Sequence, residues 1–331
     1  MPKLKPLIVI VGPTASGKSE LALKLAKQYN GEIINADSRQ IYKEMDIGTN
    51  KLEIGNCSLK CKNNIQYSIS NIPVHLINIR YPNQAFSLAQ YKRLAIQIIR
   101  DIHERGKIPI LVGGTGLYIS SIVNNLEIPK APPNHKIRNK LEKKSVKQLF
   151  NMLNKADPKS AGIIGPRNKR KIIRALEVYK ITGKPFSSQQ IKGKPLFDVL
   201  QIGIKIDREK LYKKIDKRVD LMIKDGLIDE TKYLVKKYSN ELPAMTGIGY
   251  REINQCLKGE TSMEEASQLI KFRTHHYARR QMTWFKRDER INWVANYKTA
   301  LKNINGFLSK PPKSKLQNPN VKSMSKSKLS I

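Results

Sequence analysis

Two rhythms of apolar and polar residues run through the first third of the chain. Leu7-Ile8-Val9-Ile10-Val11, Glu32-Ile33-Ile34-Asn35 and Ile108-Pro109-Ile110-Leu111-Val112 are short, largely apolar runs of strand type. Between them the spacing changes. Leu21, Ala22, Leu25 and Ala26 recur at helical intervals, as do Leu94, Ile98 and Ile102. Ser87-Leu88-Ala89-Gln90 opens the second helix as a capping box, and Gly106 follows its end. This alternation predicts parallel strands joined by crossover helices. Ligands of such sheets gather at the carboxyl ends of the strands, where Gly12, Asp37 and Gly113 fall.

The pattern breaks at Pro129-Lys130-Ala131-Pro132-Pro133 and reads as helical to about Pro195. Asp157-Pro158 marks one helix start there, and Arg167 to Thr182 form another helix closed by Gly183. Leu196 to Ile206 then resumes a strand that could rejoin the first sheet. Residues 126–195 are therefore expected to be a helical insertion into an α/β core made of 1–125 and 196–308. Several helices complete that core, the clearest begun by the capping box Ser262-Met263-Glu264-Glu265. From 309 to 331 the chain is rich in Lys, Ser, Pro and Asn without an acidic residue, which predicts a disordered basic tail.

Charge adds a partner to this outline. The 331 residues carry 62 Lys+Arg against 27 Asp+Glu, a net charge of +35, and an excess of that size favours a polyanionic partner. The three cysteines, Cys57, Cys61 and Cys256, are too few for a disulfide scaffold and fit a reducing compartment. Cys57 and Cys61 have ligand-like spacing, but no second pair completes a zinc site. No apolar run reaches membrane-spanning length and the first strand begins almost at once, so a cytoplasmic protein is expected.

The chemistry starts after the first strand. Gly12-Pro13-Thr14-Ala15-Ser16-Gly17-Lys18-Ser19 fills the pattern G-x-x-x-x-G-K-[ST] between a strand and a helix. Such a loop turns backbone N–H groups and a helix N-terminus towards a di- or triphosphate. Lys18 would reach the terminal phosphates, and the Ser19 hydroxyl would sit on Mg2+. The fold expected is thus a P-loop NTPase-like parallel sheet. Asp37, at the next strand end, could be a magnesium carboxylate, a general base beside the phosphate, or a simple turn cap. Arg170 and Arg174 lie on one helix, with Ile172, Ile173, Leu176 and Tyr179 on its buried face. Arg273, His276, Arg279 and Arg280 ride beside Tyr277, Met282, Trp284 and Phe285 on another. Basic residues interleaved with aromatic ones suit nucleic acid.

These motifs together resemble the tRNA dimethylallyltransferase family. The match rests on the loop Gly12–Ser19, Asp37-Ser38-Arg39-Gln40-Ile41-Tyr42, Met45-Asp46-Ile47-Gly48-Thr49 and Val112-Gly113-Gly114-Thr115-Gly116-Leu117-Tyr118. It continues through Arg174-Ala175-Leu176-Glu177-Val178, Thr182-Gly183-Lys184, Gly247-Ile248-Gly249-Tyr250-Arg251-Glu252 and Ala278-Arg279-Arg280-Gln281-Met282-Thr283-Trp284-Phe285. The resemblance implies transfer of a dimethylallyl group from its diphosphate to the N6 amine of the adenosine 3′ of the anticodon. Asp37 would be the general base, and Thr14 would contact the diphosphate near the breaking bond. The tRNA contacts implied are Asp37, Ser38, Arg39, Gln40, Thr115, Arg170, Lys171, Ile172, Ile173, Arg174, Arg279, Arg280 and Gln281. The anticodon stem-loop is the partner implied, and a monomer the state. Val74, Asn78 and His275 depart from the family's usual residues, and the stretch from Leu52 to Ile72 is longer than usual. Three rivals stand beside this reading: an adenylate isopentenyltransferase, a small-molecule kinase and an RNA-binding module without chemistry.

Overall fold

In the computed structural model, which describes residues 4–52, 55 and 56, 67–189 and 191–309, one sheet contains eight described strands. They are β1 (Pro6–Val11), β2 (Gly31–Asn35), β3 (Gly55–Asn56), β4 (Tyr67–Ile69), β5 (Ile72–His75), β6 (Ile108–Gly113), β7 (Asp198–Ile204) and β8 (Ile291–Val294). Their order is β3-β4-β5-β2-β6-β1-β7-β8. The six strands from β5 to β8 pair in parallel, and β3 and β4 add an antiparallel edge. Val9 faces Leu111 and Gln201, and Ile33 faces Ile110 and Val74, so β1, β2 and β6 lie buried on both faces. Near-continuous apolar runs are what such strands require. Cys57, Cys61 and the basic tail from Lys310 onward lie outside the described residues.

The helices are α1 (Lys18–Gln28), α2 (Leu88–Glu104), α3 (Gly116–Val123), α4 (His135–Glu142), α5 (Val146–Ala156), α6 (Pro158–Ile164) and α7 (Lys169–Thr182). After β7 come α8 (Arg208–Lys224), α9 (Leu227–Lys237), α10 (Tyr250–Leu257), α11 (Met263–Phe285) and, last, α12 (Tyr297–Leu308). The chain divides into two units, one of residues 1–119 and 195–331, the other of residues 120–194. The change of unit falls inside α3, a continuous helix, so no proline or charge break marks it.

In the larger unit, Ile8, Ile10, Leu25, Ile33, Ile110 and Ile202 pack with Ala300 and Ile304 of α12. A second core joins α8 to α11 through Ile215, Val219, Leu234, Ile253 and Ile270, and includes Ile41 and Met45 after β2. In the smaller unit Leu149, Leu153, Ile172, Ile173 and Leu176 form the core. Its buried Glu177 accepts from Asn134 N at 2.7 Å and from Arg138 and Arg174. Those bonds and charges hold the Glu177 carboxyl below its usual range against the opposing effect of burial.

Candidate functional site

Sheet order sets the site. β1 and β2 flank β6, all three parallel, so the loop after β1, Asp37 after β2 and the glycine turn after β6 emerge side by side. The phosphate loop begins at Gly12 and ends where Gly17, in the left-handed region at φ 90°, caps α1. Ala15 is also left-handed at φ 59°, a conformation a side chain enters at a cost and one that clusters at ligand sites. Lys18 donates to Pro13 O at 2.6 Å. Burial pulls its amine from 10.5 to about 8; the Asp37 charge opposes that fall, and Arg218 of α8 adds to it. The Ser16 hydroxyl and Arg218 Nε are buried without a hydrogen-bond partner. Unpaired buried donors beside a lysine are what an absent polyanion would satisfy.

Asp37 is fixed from its own strand end. Its Oδ1 accepts from Arg39 N at 2.8 Å, and its N–H donates to Asn35 Oδ1 at 3.2 Å. The next residue ties to the glycine turn, Ser38 N donating to Thr115 Oγ1 at 3.0 Å and Thr115 N to Ala36 O at 3.1 Å. Gly113 permits this approach: a Cβ there would lie 2.2 Å from Ala36 O. Below, Tyr91 and Tyr118 stack with centroids 3.8 Å apart. Burial, aided by the Asp37 charge, raises the phenol pKa of Tyr91, Tyr118 and Tyr277. Asp37 therefore sits among aromatic rings, with Lys18, Lys51 and Arg218 within reach of its charge.

The residues named as RNA contacts separate into distinct groups. Arg279, Arg280, His276, Thr283, Trp284 and Arg287 line an open groove of about 270 Å³ along α11, with Arg279, Arg280 and Trp284 exposed. Arg170 and Lys171 are exposed on the first turn of α7. Ile172 and Ile173 are corrections: they are 0% and 4% exposed in the smaller unit's core and have no surface to offer a partner. Arg174 pairs with Glu177 at 2.7 Å and donates to Ala131 O at 2.9 Å. Arg39 braces the segment before Gly247 through Ala244 O, Pro243 O and Thr246, and Gln40 holds Thr49 O and Asn50 O. Gln281 is buried and bonds Thr14 N and Gly114 O rather than facing the groove.

The motifs miss Arg218 and imply a tRNA contact for Gln281 instead, yet each residue left a trace of its packed position. Arg218 follows Leu211 and Ile215 at the spacing of the buried stripe of α8, and Gln281 falls on the stripe Ala266, Ile270, Thr274, Ala278, Phe285. A polar residue on an apolar helical stripe is the signal. Among the described residues no cluster of three or more His, Cys, Asp or Glu is set to hold a metal. Ser19, exposed on the first turn of α1, fits a magnesium ion that takes its other ligands from phosphate and water. No described helix is long and apolar enough to cross a membrane.

Comparison with known proteins gives this arrangement relatives. A family model described as IPP transferase matches residues 40–288, and one described as isopentenyl transferase matches residues 5–57. A tRNA dimethylallyltransferase of Caldanaerobacter subterraneus subsp. tengcongensis is 46% identical over 305 residues, covering 88% of this chain and 93% of that protein. One from Halothermothrix orenii is 46% identical over 300 residues, with 88% of each covered. The crystal structure of the Bacillus halodurans tRNA isopentenylpyrophosphate transferase superposes with a TM-score of 0.66 at 36% identity, covering 93% of this chain and 96% of that one. A eukaryotic dimethylallyltransferase, captured acting on tRNA, gives a TM-score of 0.73 at 30% identity, with 94% and 81% covered.

Proposed function

Since the chain belongs to the tRNA dimethylallyltransferase family, we propose that it transfers the dimethylallyl group of dimethylallyl diphosphate to the N6 amine of the adenosine 3′ of the anticodon. One observation carries the reading: β1 and β2, parallel on either side of β6, bring the phosphate loop with its desolvated Lys18 and the opposing charge of Asp37 to the same edge of the sheet. A leaving group and a base are thereby brought to one place. The loop N–H groups, Lys18 and Arg218 hold the diphosphate and stabilise the charge that grows on it. Thr14 lies against the breaking bond. The adenine, flipped from the anticodon loop, presents N6 to Asp37. N6 attacks C1 of the allyl group, the C1–O bond breaks, diphosphate leaves with the bonding electrons, and Asp37 accepts the N6 proton. Magnesium bound by Ser19 and the diphosphate would neutralise further charge on the leaving group.

Of the residues the resemblance implies as tRNA contacts, Arg279 and Arg280 of α11 and Arg170 and Lys171 of α7 are exposed basic side chains able to take tRNA phosphates. Ser38 and Thr115 line the approach to Asp37. The enzyme would act as a cytoplasmic monomer. Incubating the protein and tRNA with either dimethylallyl diphosphate or ATP, then digesting to nucleosides, tests this reading. N6-isopentenyladenosine should form with the diphosphate alone. Phosphoryl transfer from ATP, or prenylation of free adenylate in preference to tRNA, would reject it.

A further inference from the structure

On the inward face of α11, Gln281 is 5% exposed. Its Oε1 accepts the Thr14 N–H at 2.8 Å, and its Nε2 donates to Gly114 O at 2.9 Å. A single amide therefore joins the phosphate loop to the glycine turn. A Cβ on Gly114 would stand 2.1 Å from that Nε2, so the turn is bare where the amide reaches it. The neighbouring turns of the helix meet the same segment: Tyr277 hydrogen-bonds Thr115, and the Trp284 indole fills the space a Cβ on Gly116 would take, at 2.3 Å. Thr115 in turn holds Ser38, beside Asp37. A buried amide is tolerated on an apolar stripe because both of its ends are bonded.

We propose that Gln281 is a positioning residue for the transfer reaction. By spanning Thr14 N and Gly114 O it fixes the separation between the loop that carries the leaving diphosphate and the turn that sets Asp37. It acts through Thr14 and Thr115 and touches no reacting atom. Glutamine suits the task because one end must accept and the other donate, with a reach that asparagine lacks by one methylene. A glutamate would accept from Thr14 N but present a second acceptor to Gly114 O. The inference rests on the prenyl-transfer reading of the site and on no contact between Gln281 and RNA.

The test uses the full-length protein with Gln281→Met, which keeps length and burial but removes both bonds, and Gln281→Asn, which keeps the amide but shortens its reach. Single-turnover transfer, KM for dimethylallyl diphosphate and for tRNA, and the thermal midpoint are measured for each. In both variants the transfer rate per folded molecule should fall about ten- to hundredfold, the scale of a reacting pair displaced by about an ångström. Both KM values should stay close to wild type, because neither variant removes a contact to either substrate. Should Gln281→Met not fold, Gln281→Asn decides alone. An unchanged rate overturns the proposal, as does a loss that only tracks the folded fraction. A raised KM for tRNA at constant rate also overturns it and makes Gln281 an RNA contact. Wild-type protein that transfers nothing to tRNA would instead bring down the reading of the site.

Discussion

Lys18 and Asp37 approach one another across the carboxyl edge of the sheet without spending their hydrogen bonds on each other. Lys18 donates to Pro13 O, and Asp37 accepts from Arg39 N. The ammonium is thus left under-compensated, with its pKa drawn from 10.5 to about 8 by burial. The folded protein binds fewer protons than the unfolded chain between those values. This group therefore destabilises the free protein below about pH 8, and the cost is relieved as pH rises towards 10.5. A bound diphosphate should restore the proton. Pyrophosphate affinity is expected to weaken about tenfold per pH unit above about 8, with uptake of close to one proton at pH 9. Calorimetry in buffers of different ionisation enthalpy measures it, and in Lys18→Ala the uptake should vanish.

Asp37→Ala should keep diphosphate binding, which uses the loop and Lys18, and much of the tRNA affinity. Transfer should fall by about two to four orders of magnitude, the range for a lost general base. A metal-binding Asp37 predicts otherwise, with diphosphate affinity falling alongside activity and both recovering at high magnesium. Titrating the two ligands against the variant over a magnesium series separates the roles.

Neighbouring arginines of α7 should behave differently. Arg170 is exposed, whereas Arg174 is half-buried against Glu177 and Ala131 O. Arg170→Ala, combined with Lys171→Ala, should weaken tRNA binding by about 1–3 kcal/mol and leave the melting temperature unchanged. Arg174→Ala should instead lower stability by about 1.5–3 kcal/mol, the usual value of a hydrogen bond to a charged group. Filter binding and thermal denaturation, read side by side, check both.

The glycine turn offers a steric contrast. A Cβ on Gly113 meets Ala36 backbone at 2.2 Å, whereas one on Gly116 meets the exposed Trp284 ring. Backbone cannot step aside cheaply, so Gly113→Ala should destabilise by about 3 kcal/mol, the upper end of overpacking costs. Gly116→Ala should displace Trp284 from its seat and weaken tRNA binding, with a smaller change in stability. Denaturant titration and tRNA binding distinguish the two.

Six lysines and no acidic residue stand between Lys310 and Ile331. Removing 309–331 should flatten the salt dependence of tRNA binding, because each neutralised phosphate contributes about −0.7 to −0.9 to the log–log slope. Catalysis at saturating tRNA should be unchanged. A full-length slope retained by the truncated protein rejects a role for the tail in binding.

Local chemistry was written in the sequence. The loop from Gly12 to Ser19, the capping boxes at Ser87 and Ser262, and the buried runs of β1, β2 and β6 each follow from interactions a few residues long. Strand β8, by contrast, is only four residues, Ile291–Val294, and becomes a strand because β7 offers it a parallel edge. The same limit hid the real work of the motif residues. Ile172 and Ile173 carry the spacing of a core, and Gln281 that of a buried stripe, but what each faces depends on chain that returns from far away. Thr14 and Gln281 are 267 positions apart, as Lys18 and Arg218 are 200. Periodicity fixes which face of a helix turns inward. Only the packed sheet, with β6 laid between β1 and β2, decides which inward faces meet.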